Sequence, residues 1–159
     1  MARQGFLAKL ARRGKLEMVE PSEEIRNSYM QKSESYLESA RILLEKGKLE
    51  ESVSMAYYSM YHMLTALLFR AGIKCENHSA SIILLKEVFG LDSSEISKIK
   101  IERVDKEYYV DFQITKEEVV GIISRAQDFS SSIADFISRL NSGKIRMFRI
   151  RMESLLKEE

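Results

Sequence analysis

The side chains best suited to chemistry fall in three short stretches. Ala56-Tyr57-Tyr58-Ser59-Met60-Tyr61-His62 places three tyrosines and a histidine within seven positions; His78 stands between Asn77 and Ser79; and Arg103 is followed by Asp105, Tyr108, Tyr109 and Asp111. An arginine holds a phosphate through parallel N–H donors, a histidine changes charge near neutrality, and a tyrosine brings a hydroxyl and an aromatic face. On a helix Tyr58 and His62, four residues apart, share one face and can line a cleft or a seam between two copies. His78, at the start of a predicted helix, can assist an anion near the free N–H groups there. Arg103 and the tyrosines beside it can contact a phosphate.

Each of these has a plainer reading. The tyrosines can pack between helices with their hydroxyls on backbone partners, His62 can be a satisfied core histidine, and His78 can serve as a loop or capping residue. An ion pair with a neighbouring aspartate accounts for Arg103 equally well. Metal chemistry lacks its residues: H-x-x-x-H and H-x-x-E spacings and cysteine clusters are missing, as are glycine-rich phosphate loops, so neither a metal nor a cofactor is expected. Cys75 is the single cysteine, which excludes an internal disulfide and points to an inert thiol.

The elements that must position these residues read as helices almost throughout, since the chain has one proline, seven glycines and no stretch with the pattern of a multi-stranded sheet. Ser52 to Phe69 carries no Asp, Glu, Lys or Arg, and Val53, Ala56, Tyr57, Met60, Leu64, Leu67 and Leu68 recur at helical spacing. Its serines, His62 and Thr65 suit a lipid-facing surface poorly, so a central core helix is expected rather than a membrane span. A long helix should begin at Pro21-Ser22, present Ile25, Tyr29, Tyr36, Leu37, Ala40, Leu43 and Leu44, and end at Gly47.

Beyond Gly72, Ser79 or Ser81 is the expected cap of a helix that runs through Ile83, Leu84, Leu85, Val88 and Phe89 to Gly90. Residues 92–95 can open a short helix, whereas IKIERVDKEYYVDFQI mixes periods and reads as helix, loop or short extended piece. Thr115-Lys116-Glu117-Glu118 is a capping box, from which a long helix should reach Gly143. A last helix can place Ile145, Phe148 and Met152 on one side. The expected fold is all-α: an antiparallel four- to five-helix up-and-down bundle with additional short terminal helices.

Charge is unevenly spread over the 159 residues. Residues 1–15 hold five basic residues and no acid, residues 144–159 hold five basic and three acidic ones, and with a net charge of +1 the body between them carries −6. The division expected is a basic N-terminal extension over 1–20, a helical bundle over 21–143 and a basic C-terminal helix over 144–159. The basic ends suit phosphate contacts, with Phe6 or Phe148 stacking on single-stranded RNA. They also suit ordinary terminal helices whose apolar residues pack on the bundle. Without a signal-peptide pattern in MARQGFLAKLARRGKL, a cytoplasmic location is expected.

The run SYLESARILLEKGKLEESVSMAYYSMYHMLTALLFRAGI, then NHSASIILLKEVF and ERVDKEYYVDFQITKEEVVGIISRAQDF, resembles the HEPN domain family of prokaryotic helical proteins, over roughly Ser28 to Leu140. The resemblance implies a bundle that forms a homodimer, a minimal nucleotidyltransferase as its partner in a toxin–antitoxin-like pair, and a nucleotide- or RNA-binding role. The ligand-binding residues would be Tyr58, His62, His78, Arg103 and Tyr109. Some members are metal-independent RNases that use an arginine and a histidine spaced R-x(4-6)-H. Here Arg103 is followed at the fifth position by Tyr108, and Arg70 precedes His78 with seven residues between, so the signature reads R-x(4)-Y. A tyrosine hydroxyl, with a pKa of about 10, donates a hydrogen bond but is a poor base at neutrality. The alternatives are therefore a metal-independent endoribonuclease with Arg103 and Tyr108 as catalytic residues, or a helical adaptor without a ligand.

Overall fold

The structure, a computed structural model, describes residues 2–108 and 113–157, with the side chains of 104–108 left aside. Among these residues seven helices and one small two-stranded ladder make an all-α bundle. The helices are α1 (Ala2–Arg12), α2 (Glu23–Glu45), α3 (Leu49–Arg70), α4 (His78–Glu87), α5 (Ser94–Tyr108), α6 (Lys116–Ser138) and α7 (Ser142–Lys157). The strands are β1 (Leu16–Met18) and β2 (Ile73–Cys75).

Helix α3 is the centre, with α2, α4, α5 and α6 packed around it. Every residue of its expected stripe is buried, and Met63, Thr65 and Ala66 extend the burial around the helix. Its hydroxyls enter this core because each finds a carbonyl. Ser59 Oγ donates to Ala56 O, Thr65 Oγ1 to Tyr61 O, and Ser52 Oγ to Ala40 O on α2 at 2.6 Å. Ser33 Oγ of α2 returns a bond of 2.6 Å to Ser59 O. Small residues at these crossings let the two backbones approach, and the bonds remove the cost of burying polar atoms. No helix of the described residues is long and apolar enough to cross a membrane.

Helix α2 starts where its sequence indicates, with Ser22 Oγ accepting from Ile25 N at 3.1 Å. Its buried seam is Ser33, Leu37 and Ala40, while Ile25 is exposed instead of joining it. Steps of four residues rotate about 40° around a helix, so two steps back from Ser33 the position has drifted by about 80°. Helix α4 is capped by Asn77, whose Oδ1 accepts from Ala80 N at 2.9 Å, not by Ser79 or Ser81. A cap at Asn77 makes His78 the first residue of the helix and leaves the serines inside its first turn.

Thr115 caps α6 as its capping box predicts, accepting from Glu118 N at 3.1 Å. The helix stops at Ser138, before the expected Gly143, because Asn141 Oδ1 accepts from Lys144 N and opens α7 there. Gly143 lies inside that new helix. The mixed-period stretch after residue 98 continues α5 as helix through Tyr108.

The ladder was not expected. Its register is Leu16↔Cys75, Glu17↔Lys74 and Met18↔Ile73, with Leu16 and Ile73 buried and Glu17 and Lys74 exposed. Three residues are too few for alternation to show in sequence, and the pairing joins segments far apart in the chain. Arg149 of α7 fastens this corner: its Nη1 donates to the carbonyls of Val19 at 2.8 Å and of Ala71 and Gly72 at 3.0 Å. Gly72 has a φ of +75°, and a Cβ there would overlap Arg149 Nη1 and Val19 O. Helices α1 and α7 pack together as an outer layer, burying Leu7, Leu10, Ile145, Phe148 and Met152.

Candidate functional site

The tyrosines of α3 diverge because successive residues turn by about 100°. Tyr57 is fully buried, whereas Tyr58, Tyr61 and His62 are half-buried. From α4, His78 reaches Tyr57, whose hydroxyl lies 2.8 Å from His78 Nδ1, and its ring stacks on Tyr61 with centroids 3.7 Å apart. From α5, Arg103 Nη1 donates to the Tyr58 hydroxyl at 3.1 Å, and the guanidinium lies 5.1 Å from the Tyr57 ring centre and 5.3 Å from that of Tyr58. Three of the sequence-derived residues, Tyr58, His78 and Arg103, thus meet in one cluster.

His62 lies one helical turn beyond Tyr58, with ring centroids 6.4 Å apart, and sits against α2. Tyr36 meets it edge-on at 4.6 Å and Tyr29 at 5.9 Å; Tyr29 in turn stacks on Phe69 at 5.6 Å. Burial pushes the imidazole pKa down to about 4, helped by the charges of Lys32 and His78. A neutral ring fits the buried Nδ1 of His62, which has no hydrogen-bond partner among the described residues. Tyr108 closes α5, but its side chain, like Tyr109 as a whole, lies outside the described residues.

Lys100, which the mixed pattern of its segment hid, belongs to the cluster. It stands three residues before Arg103, hence on the same side of α5, and its Nζ donates to Ser79 Oγ at 2.6 Å. Its pKa is lowered by burial and then by Arg103, while that of His78 is lowered by burial and then by Lys100 and Arg103. In both, burial is the larger cause and the neighbouring cations add to it. Two acids of α5, Glu95 and Glu102, turn to the Arg125 guanidinium of α6, at 3.9 and 3.8 Å.

The protonation states restrict the chemistry. Burial raises the Tyr57 hydroxyl well above the usual tyrosine range despite the nearby Arg103, so Tyr57 stays a phenol, and the imidazole tautomer sets which of Tyr57 Oη and His78 Nδ1 donates across their 2.8 Å bond. That bond engages Nδ1 and leaves Nε2 as the ring nitrogen not used by Tyr57. The cluster brings two cationic side chains, Lys100 and Arg103, together with aromatic surface. Elsewhere, burial pushes the Cys75 thiol up, as suits an inert cysteine. Phe148, considered for stacking on RNA, is buried against Phe89 at 4.9 Å and Phe136 at 6.0 Å and cannot take that part. Phe6 is about one-third exposed, at 36%.

A family model described as the HEPN domain matches residues 27–136, a span that contains the whole cluster. Over 76 residues the chain is 45% identical to a UPF0332 protein of Pyrococcus horikoshii, covering 48% of this chain and 49% of that one. It thus spans about half the length of that relative. A UPF0332 protein of Archaeoglobus fulgidus is 25% identical over 116 residues, 69% of this chain and 93% of that protein. A Methanocaldococcus jannaschii protein named "Putative toxin" is 28% identical over 108 residues, covering 64% of this chain and 80% of the other.

Proposed function

This chain belongs to the HEPN domain family, and from that premise we propose that it is an RNA-binding helical module that works as a homodimer beside a nucleotidyltransferase-type partner. The observation that carries the RNA reading is the convergence of Lys100, Arg103 and the His78 ring on the faces and hydroxyls of Tyr57, Tyr58 and Tyr61. Guanidinium and ammonium groups side by side suit a phosphate, and the half-buried rings of Tyr58 and Tyr61 suit a base. Ile101, 61% exposed on the helix that carries Arg103, offers a second copy an apolar contact close to the cluster. The partner proposal rests on the family resemblance.

Fluorescence anisotropy with a short single-stranded RNA tests the reading. Wild-type protein should bind with a marked salt dependence, and Arg103→Ala should weaken binding by about tenfold or more, the scale of losing one charged phosphate contact. Equal affinity in the two proteins refutes a site at the cluster. Light scattering and co-purification with the nucleotidyltransferase-type protein test the assembly.

The relative named as a toxin favours a second reading, a metal-independent endoribonuclease that uses Arg103 with Tyr108. Cleavage of RNA in EDTA that disappears in Arg103→Ala establishes it. Binding without cleavage at high protein excess rejects it.

A further inference from the structure

The strongest feature outside the cluster is a groove of about 480 Å³ between α7, the end of α3 and Pro21. Its lining includes three arginines, Arg70, Arg146 and Arg149, against a single carboxylate, Glu153, and its apolar surface comes from Ile145 and Ile150. Arg149 is held by its three carbonyl bonds and so is fixed in place before any ligand arrives, while Arg70 pairs with the exposed Glu23 at 3.4 Å, a contact that a phosphate would exchange for its own. Arg146 is exposed, and Ile150 is 57% exposed.

The groove borders α7, one of the two basic ends of the chain. Folding brings the two ends of the chain together as the α1–α7 layer, where Arg3, Lys9, Arg12 and Arg13 join Lys144, Arg146 and Arg151 on the surface. Three arginines in a groove with an apolar wall match a polyanion that also carries flat apolar groups. Single-stranded RNA has both, whereas the bases of a duplex are stacked away from such a surface. A lipid surface fits less well: Ile145, Phe148 and Met152 face the bundle, which leaves α7 only Met147 and Ile150 as exposed large apolar residues.

We propose that this groove is a second contact for the same RNA strand, with Arg70, Arg146 and Arg149 on phosphate and Ile150 against a base. The inference rests on the RNA-binding reading of the Arg103 cluster and extends it. Arg70 follows His62 by eight residues on α3, about 12 Å along the axis, and the Phe69, Tyr29 and His62 rings occupy the interval. Arg70 also lies about 80° around the α3 axis from His62, so a strand that crosses the cluster curves round α3 to reach the groove.

Fluorescein-labelled RNA of about 12 nucleotides, long enough to span both places, is the probe. Arg146→Ala and Ile150→Asp change exposed side chains, and circular dichroism confirms that each variant is folded. Each should weaken binding of the long probe by about fivefold to tenfold, and Arg146→Ala should reduce the salt slope by about one. A probe of about 4 nucleotides should respond to Arg103→Ala alone. Unchanged affinity of the long probe in both groove variants, with Arg103→Ala still harmful, overturns the groove and leaves the cluster. Loss in the groove variants with Arg103→Ala harmless upholds the groove and removes the cluster reading. Anionic phosphatidylserine vesicles that bind wild type and not Arg146→Ala, with RNA affinity untouched, assign the surface to lipid and overturn the proposal.

Discussion

Gly72→Ala should be among the most damaging single-methyl additions in the molecule, and its cost can be assembled from two parts. The first is backbone strain: an alanine at φ +75° costs about 1–2 kcal/mol. The second is steric, because the new Cβ would overlap Arg149 Nη1 and the Val19 carbonyl oxygen and touch Pro21 Cδ at 3.0 Å. Arg149 must then leave the three carbonyls it serves. These bonds share one nitrogen, so they count once, at about 1.5–3 kcal/mol for a charged donor. The sum is about 3–5 kcal/mol.

Gly47→Ala is the matched control, since its φ is +73° and nothing lies within 4 Å of a Cβ there, leaving the strain alone. Urea denaturation followed by circular dichroism should separate the two variants by about 2–3 kcal/mol, and Gly72→Ala should melt roughly 10 °C below wild type. In an Arg149→Ala background the penalty of Gly72→Ala should shrink but not vanish, because the Val19 overlap remains. If Gly72→Ala is no worse than Gly47→Ala, the close packing of α7 on the β1–β2 corner is refuted.

His62 makes stability depend on pH. The unfolded chain takes up its proton near the ordinary histidine value of 6.5 and the folded chain only at about 4, so the contribution is complete above pH 6.5 and is lost as pH falls from 6.5 to 4. For a half-buried ring this is on the order of 1–2 kcal/mol. His62→Phe should flatten that part of the urea-midpoint profile, and a slope identical to wild type rejects the assignment. Lys100→Met should raise the titration midpoint of His78, followed by the ring protons in NMR, because it removes one of the positive charges that disfavour the imidazolium. An unmoved midpoint means that the positive field at the cluster has another source.

Much of the fold was legible because long helices declare themselves locally. The uncharged Ser52–Phe69 run identified the core helix, and Ser22 and Thr115 identified the starts of α2 and α6 through caps that lie within three residues of their partners. Ile25 and the end of α6 were misread for a related reason: periodicity alone does not say how far a neighbouring element covers a face or where a downstream cap competes. The strands escaped notice because their pairing, Leu16 with Cys75, exists only between distant segments.

The candidate site divides along the same line. Residue types and spacings singled out Tyr58, His62, His78 and Arg103, since a tyrosine-rich, charge-free helix and an arginine in aromatic company stand out in one dimension. Whether these residues meet was decided by packing, which sets α4 and α5 against α3 so that His78 joins Tyr57 and Arg103 joins Tyr58 while His62 turns toward α2. Lys100 became a member only through a helix whose sequence period is mixed, and the two basic ends became one surface only because α1 packs on α7. Side-chain chemistry and helical period are local properties that a sequence carries by itself. Burial, protonation state and the meeting of distant charges depend on which surfaces the bundle brings together, and those arise only in three dimensions.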